Sequence, residues 1–469
     1  MSTYLTADRF GTPTNAKKYT IAGWFKLSKT TNNHILSYNY GSGQRGFDLI
    51  VRSNDSTLRV NDYTAGVGDH VDVRTNRVFK DFSAWYHLVV AYDSTQGTAA
   101  DRVKVYVNGI QETSFAASTY PSQDLDSFIA TTPQNNKGFL VGALYNSSGN
   151  IDAGNYFSGY MSQFIFIDGT AYAASAFGST NSNGVWVPNS SPSVTYGTNG
   201  FKLDMKDSGA SAAAGNFGAD SSGNNNHFTS NGLGTNPNTK DSPQNNFCTM
   251  DPDQGFYTAS NTFAEGALKM TADSSRYEFA NATMGVRTGK WYWEMKAVSK
   301  SGGSDWYGTG VMVSSPWQND YGGSDNGQSN LSGCYYYGYG QIRTNGTTPG
   351  TWGSFTAGDI VSVAMDCDNA AIYFAKNGVW QNSGVPTSGA SKTGAQALTT
   401  PEVRSSGYNF WVPGLCYFDG GQSGVMQINF GQPTFTIASS NSDANGYGSF
   451  EYAVPSGYYA ICSKNIGQY

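Results

Sequence analysis

Trp85-Tyr-His-Leu-Val-Val-Ala-Tyr92 and Arg102-Val-Lys-Val-Tyr-Val-Asn-Gly109 decide the fold class. Both are short runs of β-branched and aromatic residues, and the second alternates Val103, Val105 and Val107 with Lys104 and Tyr106, the period of a half-buried strand. Asn108-Gly109 closes it with the residue pair that best tolerates positive φ at both centres of a two-residue hairpin, so the chain reverses there. Moving outward, Thr20-Ile-Ala-Gly-Trp-Phe-Lys-Leu27, Gly46-Phe-Asp-Leu-Ile-Val-Arg52, Gly138-Phe-Leu-Val-Gly142 and Phe157–Gly169 read the same way. A second strand-rich region begins near Phe256, with runs at Arg276–Phe279, Gly289–Val298, Gly308–Val313, Gly358–Asp366, Ala371–Gly378 and Gly424–Gly431, and a second Asn-Gly pair at Asn377-Gly378. No long window has helical spacing. The expectation is an all-β chain of two antiparallel β-sandwiches in series, with little helix.

Composition narrows the classes of function. The 469 residues carry 28 Lys and Arg against 34 Asp and Glu, a formal net charge of −6. A chain without a basic excess is not a nucleic-acid binder by bulk charge. Only 13% of residues are charged, about half the usual share of roughly 25%, so solubility falls to uncharged polar groups. Aromatics at 14% supply enough core to argue against disorder. No stretch approaches the ~20 apolar residues that span a bilayer, and the start lacks the basic segment and apolar run of a signal peptide, so synthesis in a cytoplasm and no membrane insertion are expected. The five cysteines, Cys248, Cys334, Cys367, Cys416 and Cys462, form no CxxC or close Cys/His pair; free thiols are expected.

Between the two strand-rich regions lies a polar stretch from Asn189 to about Pro252, including Ser221-Ser-Gly-Asn-Asn-Asn-His-Phe228 and Asp241-Ser-Pro-Gln-Asn-Asn-Phe247. It has too few apolar residues for a core of its own. Its isolated Phe201, Leu203, Phe217, Phe228 and Phe247 point to a chain lying against a neighbouring domain. The expected organisation is therefore 1–188 as the first sandwich, 189–254 as an Asn/Ser/Gly-rich connector and 255–469 as the second sandwich.

The first region resembles the concanavalin A-like, laminin-G-type jelly rolls, through Trp24, Trp85–Val90, Val103–Gly109 and Gly159–Gly169 in that order. The second resembles SPRY (B30.2-type) domains, through Gly289-Lys-Trp-Tyr-Trp-Glu294, a Gly308-Thr-Gly310 turn, a Gly338-Tyr-Gly340 loop, Gly358-Asp359, the Asp366–Asn369 hairpin, Asn377-Gly378 and Gln427–Phe435. Together with the connector motifs and the Gly457-Tyr-Tyr-Ala-Ile-Cys462 ending, the combination resembles virion proteins of tailed bacteriophages, marine and cyanobacterial ones in particular. That resemblance implies a place on the virion surface as a tail fibre or other appendage, with other virion proteins and a host cell-surface polysaccharide as partners. For an appendage it implies a homo-oligomer, a trimer by the common threefold symmetry of fibres. No separate shaft or anchoring segment is expected beside the two regions, which keeps a head decoration or tail-assembly part open.

Catalytic constellations are missing from the sequence. Glycosidases need two carboxylates about 5 to 9.5 Å apart, and the Glu-x-Asp-x-x-Glu strand of concanavalin-like glucanases is absent. Glu278 and Glu294 stand singly, and Glu294 belongs to the SPRY-like run, where a structural role is expected. There is no Gly-x-Ser-x-Gly elbow, His-Glu-x-x-His or Walker loop. His34, His70, His87 and His227 are scattered, and His87, between Tyr86 and Leu88, reads as a hydrogen-bonded core imidazole. No catalytic residue and no cofactor are expected, with calcium left open at Asp93, Asp101 and Asp152 near strand ends, where Asp serves turns equally well. A sugar presents an apolar face and a rim of hydroxyls, which flat rings and amide or carboxylate groups satisfy. The ligand-binding candidates are accordingly Trp306, Tyr307, Trp317, Tyr321, Tyr335, Tyr336, Tyr337 and Tyr339, in segments that read as loops. A polysaccharide depolymerase is the least favoured alternative.

Overall fold

The structure is a computed structural model that describes residues 3–38, 45–64, 67–130, 138–146, 148–234, 237–256, 261–274, 278–303, 305–313, 333–344, 347–398, 410–417 and 422–468. It is built almost wholly of strands; among the described residues the α-helix is the four-residue Ser463–Ile466. Contacts divide the chain into two compact units, Met1–Asn238 and Thr239–Tyr469.

The first unit contains eighteen described strands. They are β1 Tyr4–Ala7, β2 Lys18–Leu27, β3 Asn33–Tyr38, β4 Arg45–Val51, β5 Thr57–Thr64 and β6 Gly68–Val78. Next come β7 Tyr86–Asp93, β8 Val103–Val107, β9 Ile110–Gln111, β10 Phe115–Thr119, β11 Phe139–Val141 and β12 Ala143–Tyr145. The last six are β13 Ile151–Tyr156, β14 Gly159–Asp168, β15 Gly178–Thr180, β16 Trp186–Pro188, β17 Phe201–Leu203 and β18 Thr229–Asn231. An eight-stranded antiparallel sheet runs β10-β6-β5-β4-β3-β11-β1-β18, and a six-stranded one runs β17-β14-β2-β7-β8-β9. Alternation decides which side chains meet between them. In β8, Val103, Val105 and Val107 point inward and Lys104 and Tyr106 outward. The inward residues of both sheets, among them Tyr19, Phe25, Phe47, Leu49, Val60, Val73, Val90 and Phe166, form one continuous core. Each such side chain contributes about 1.5–3 kcal/mol by leaving water.

The expected hairpin is present. Asn108 and Gly109 have φ of 48° and 81°, and β8 pairs with β9 across them. The 189–254 stretch, by contrast, is not a separate connector: residues up to Asn238 belong to the first unit and the rest to the second. Phe201, Leu203 and Phe228 are fully buried in the first core, and Phe201 meets Phe228 edge-on with centroids 4.7 Å apart. The polar residues around them are satisfied locally. Asp220 Oδ1 accepts the Lys202 and Ser222 amides, and its Oδ2 accepts the Ser222 hydroxyl and the Asn226 amide. Asn224 and Asn226 donate to the carbonyls of Gly197, Thr198 and Gly200 at 2.7–2.9 Å. A few phenylalanines suffice as a core contribution because the asparagines pair the intervening backbone.

The second unit holds β19 Met250–Phe256, β20 Thr262–Ala264, β21 Lys269–Ser274, β22 Glu278–Ala282, β23 Lys290–Lys300 and β24 Tyr307–Val313. It continues with β25 Gly333–Tyr337, β26 Gln341–Thr344, β27 Thr347–Thr351, β28 Ile360–Asp366 and β29 Ala371–Lys376. It ends with β30 Val379–Trp380, β31 Gln396–Ala397, β32 Trp411–Tyr417, β33 Gln422–Asn429 and β34 Tyr459–Ala460. A seven-stranded sheet runs β19-β22-β32-β24-β25-β26-β27; a nine-stranded one has the path β20-β21-β33-β23-β28-β29-β30, with β31 added to β29 and β34 to β23. The second Asn-Gly hairpin forms at Asn377-Gly378, between β29 and β30. The Asp241–Phe247 motif and the Gly457–Cys462 ending, read as separate signatures, lie side by side: Phe247 bridges Cys462, the Cys248 amide donates to the Ile461 carbonyl at 3.0 Å, and the Ser463 amide donates to the Asn246 carbonyl at 2.8 Å.

Candidate functional site

The tyrosines expected on loops in the second unit lie in its sheet. Tyr335, Tyr336 and Tyr337 sit in β25 and Tyr307 opens β24, all at 0–1% exposure. Gly308-Thr-Gly310, read as a turn, is the middle of β24. Its glycines have a packing reason: Gly308 lies against the Tyr337 ring, and a Cβ on the neighbouring Gly414 of β32 would stand 2.5 Å from the Tyr335 hydroxyl. Tyr336 points to the opposite face and packs on Phe355 and Phe374. Rings buried on both faces give no alternation, which is why the segment resembles a loop in sequence. Trp306 and Tyr339 remain half-buried and meet edge-on at 4.5 Å, with Trp306 leaning on the core. Trp317 and Tyr321 lie outside the described residues.

Glu294 has the structural role expected of it. It is fully buried, and burial raises its carboxyl above the ordinary range. Oε1 accepts the Tyr452 amide at 2.9 Å and the Tyr292 hydroxyl at 3.0 Å, while Oε2 accepts the Glu451 amide at 3.0 Å and the Asn429 side chain at 3.1 Å. The carboxylate fastens residues 451–452 to β23 and has no oxygen left for a substrate. His87 is likewise structural: burial lowers it to about 3, so it stays neutral, and its Nδ1 accepts the Trp186 indole N–H at 3.1 Å.

The three aspartates considered for calcium are not brought together. Asp93 pairs with Lys18 at 3.1 Å and accepts the Thr95 amide and hydroxyl. Asp101 pairs with Lys104, and Asp152 accepts from Asn155. Among the described residues there is no group of three or more His, Cys, Asp or Glu placed to hold a metal ion.

Polar groups concentrate instead on the outer face of the eight-stranded sheet, a place that the sequence reading passed over. Register assembles them. Leu58, Val60, Val71 and Val73 of β5 and β6 enter the core, so Arg59, Asn61, Asp72 and Arg74 face outward. Across β3 to β6, one row reads His34, Ile50, Arg59, Arg74 and the next Ser37, Asp48, Asn61, Asp72. His34 Nδ1 lies 2.9 Å from Asp48 Oδ1. The Arg59 guanidinium donates to Asp72 at 2.7 Å and to Asp69 at 3.1 Å, and Asn61 donates to Asp69 at 2.7 Å. The Ser37 hydroxyl donates to the Ala143 carbonyl at 2.9 Å, tying the β12–β13 hairpin over β3. That hairpin brings Tyr145 and Tyr156 beside the rows; Tyr145 is buried, which pushes its hydroxyl up to about 12, and Tyr156 stacks on Tyr4 at 6.1 Å. His34, Ser37, Asp48 and Asn61 are themselves buried and bonded within the protein, so the polar side chains of this floor that reach solvent are Arg59, Asp72 and Arg74, with the partly buried rings of Tyr4 and Tyr156 beside it. The signal available in sequence is the alternation Val71-Asp-Val73-Arg, which marks a strand but not what its outer face meets.

Comparison with known proteins agrees with the first unit's architecture. The Laminin_G_3 family model, described as the concanavalin A-like lectin/glucanases superfamily, matches residues 2–170. No curated protein sequence matches the chain. Among solved structures, the SPRY domain of human HERC1 is similar at 20% identity over 40% of this chain and 99% of that one, with a TM-score of 0.28. A protein of Bacteroides ovatus ATCC 8483, provisionally described as carbohydrate binding, is 16% identical over 50% of this chain and 57% of its own, TM-score 0.32. The heptameric SAP-like pentraxin of Limulus polyphemus is 15% identical over 37% and 72%, TM-score 0.27. Likenesses at these scores bear on no functional argument. Residues 2–170 are thus a concanavalin A-like, laminin-G-like domain, completed in the structure by strands beyond the matched range.

Proposed function

We propose that the first unit binds carbohydrate, without catalysis, through the outer face of its eight-stranded sheet. The observation that supports this reading is the pair of cross-strand rows, His34 to Arg74 and Ser37 to Asp72, beside Tyr4 and Tyr156. Hydroxyl rims of a sugar pair with side chains that offer donors and acceptors at fixed spacing, and its C–H face lies on a ring. The name of the matching family, which joins lectins to glucanases, agrees with such a role. A glycosidase would need a carboxyl that keeps its proton as general acid. On this face Asp69 and Asp72 are both engaged by the one Arg59 guanidinium.

In the finer form of the proposal, the binding serves recognition of a host surface by a tailed-phage virion, where the chain is displayed as a homo-oligomer among other virion proteins. That part rests on the resemblance of the paired regions and their motifs. The test is a glycan array with the intact chain, with and without a calcium chelator. Binding is expected to survive the chelator and to weaken at least tenfold in Tyr156→Ala and Asp72→Ala. Silence of the folded protein across host polysaccharides would sink the carbohydrate reading and favour an assembly role. Electron microscopy of the corresponding particles with labelled antibody tests the virion placement.

A further inference from the structure

Among the charged side chains of the two outer-face rows, Arg59 and Asp72 pair with opposite charge within hydrogen-bond distance, and Asp48 has the His34 ring at 2.9 Å. Arg74 has none. It stands directly across from Arg59 in the β5–β6 register, and like charges facing each other across a sheet repel. Arg59 is compensated by Asp69 and Asp72, so those two carboxylates are engaged on its side of the pair. Asp55, which lies within electrostatic reach of Arg74, is held by Arg52 at 2.8 Å and by the Thr57 hydroxyl at 2.7 Å. On the other flank the register partner is Ala117 of β10, which offers no charge. The Arg74 Nε is buried and has no hydrogen-bond partner among the described residues. A buried donor left unpaired costs free energy comparable to a lost hydrogen bond, and more for a charged group.

We propose that Arg74 is the subsite for an anionic substituent, a carboxylate or a sulfate, on the polysaccharide that this face binds; the inference rests on the carbohydrate reading above. The planar fork of parallel N–H donors suits two oxygens of one such group. The chain as a whole is an anion of formal charge −6, so long-range attraction works against a polyanion and any such binding is local.

Calorimetry of the intact chain with polygalacturonate, dextran sulfate and neutral dextran tests this, with the carboxylated and sulfated polymers separating the two anion types. At least one polyanion is expected to bind ten times or more tightly than dextran, with the preference fading as salt rises. Arg74→Ala should cost the polyanion at least ten times more affinity than it costs dextran, and Arg74→Lys, which keeps the charge but not the fork, should fall between. Arg74→Ala should also unfold no earlier than the parent, since the substitution relieves the facing charges, and that measurement separates lost contact from lost fold. Unchanged polyanion affinity in Arg74→Ala, or a parent protein that binds dextran but neither polyanion, overturns the anionic subsite while the carbohydrate reading stands. Failure to bind any polysaccharide overturns both.

Discussion

At the scale of single residues, burial sets the chemistry of this protein more than proximity to opposite charge does. Asp62 is the clearest case. It sits on the inward side of β5 at 2% exposure, and Oδ2 accepts the Ser127 hydroxyl at 2.9 Å and the Phe128 amide at 3.2 Å. These bonds favour the anion, but desolvation outweighs them and raises the carboxyl to about 7. Tyr19 and Tyr92, the titratable groups that feel it, are also raised chiefly by burial. An unfolded Asp titrates near 3.9. Between about pH 4 and pH 7 the unfolded chain has therefore released a proton that the folded chain retains, so stability falls as pH rises through that window and levels off above it. At about 1.4 kcal/mol per pKa unit the loss is of the order of 4 kcal/mol. Urea midpoints measured from pH 4 to 8 should decline for the parent and decline less steeply for Asp62→Asn; parallel profiles would refute the assignment. The same rule of burial explains why Glu294 and His87 are fasteners.

At the scale of elements, what could be read from sequence followed from one-sided burial. The β8–β9 hairpin was legible because its valines alternate and its turn residues need positive φ. At Gly109 the requirement is double: φ is 81°, and a Cβ would collide with the Trp186 ring packed over the turn. Gly109→Ala is expected to cost at least about 2 kcal/mol, from left-handed strain of about 1–2 kcal/mol plus displacement of Trp186 from His87. Thermal unfolding with the Trp fluorescence of the variant reads both parts, and a midpoint equal to the parent's would show that the turn tolerates a side chain. Strand β25 was not legible, since Cys334-Tyr-Tyr-Tyr337 is buried on both faces and so has no period. The polar rows of the first unit escaped for the converse reason. Each strand shows an ordinary polar outer side, and only the register of four strands, separated in sequence by turns, places His34, Asp48, Arg59 and Arg74 together. Candidate sites made by cross-strand register are invisible to motif reading because no one segment contains them.

At the scale of the whole molecule, the consequential difference concerns where one folding unit ends. Polarity of residues 189–254 suggested a connector, because composition counts apolar residues but not where they go. Four large side chains were enough: Phe201, Leu203, Phe217 and Phe228 all join the first core, while Phe247 joins Tyr292, Tyr373 and Phe450 in the second. At about 2 kcal/mol for each buried side chain, the first four together stabilise by about 8 kcal/mol, which is comparable to the entire net stability of about 5–15 kcal/mol for a domain. A fragment ending at residue 188 also loses β17 and β18, an edge strand from each sheet of the first sandwich. Fragments 1–238 and 239–469 are therefore each expected to unfold cooperatively by circular dichroism and calorimetry, whereas 1–188 should be aggregated or lack a transition. The reciprocal fragment 255–469 loses β19 up to its last residues, together with the 245–248 contacts to the C-terminal ending, and should melt well below 239–469. If 1–188 instead melts as sharply as 1–238, the phenylalanines are accessory, and the boundary belongs where composition alone would put it.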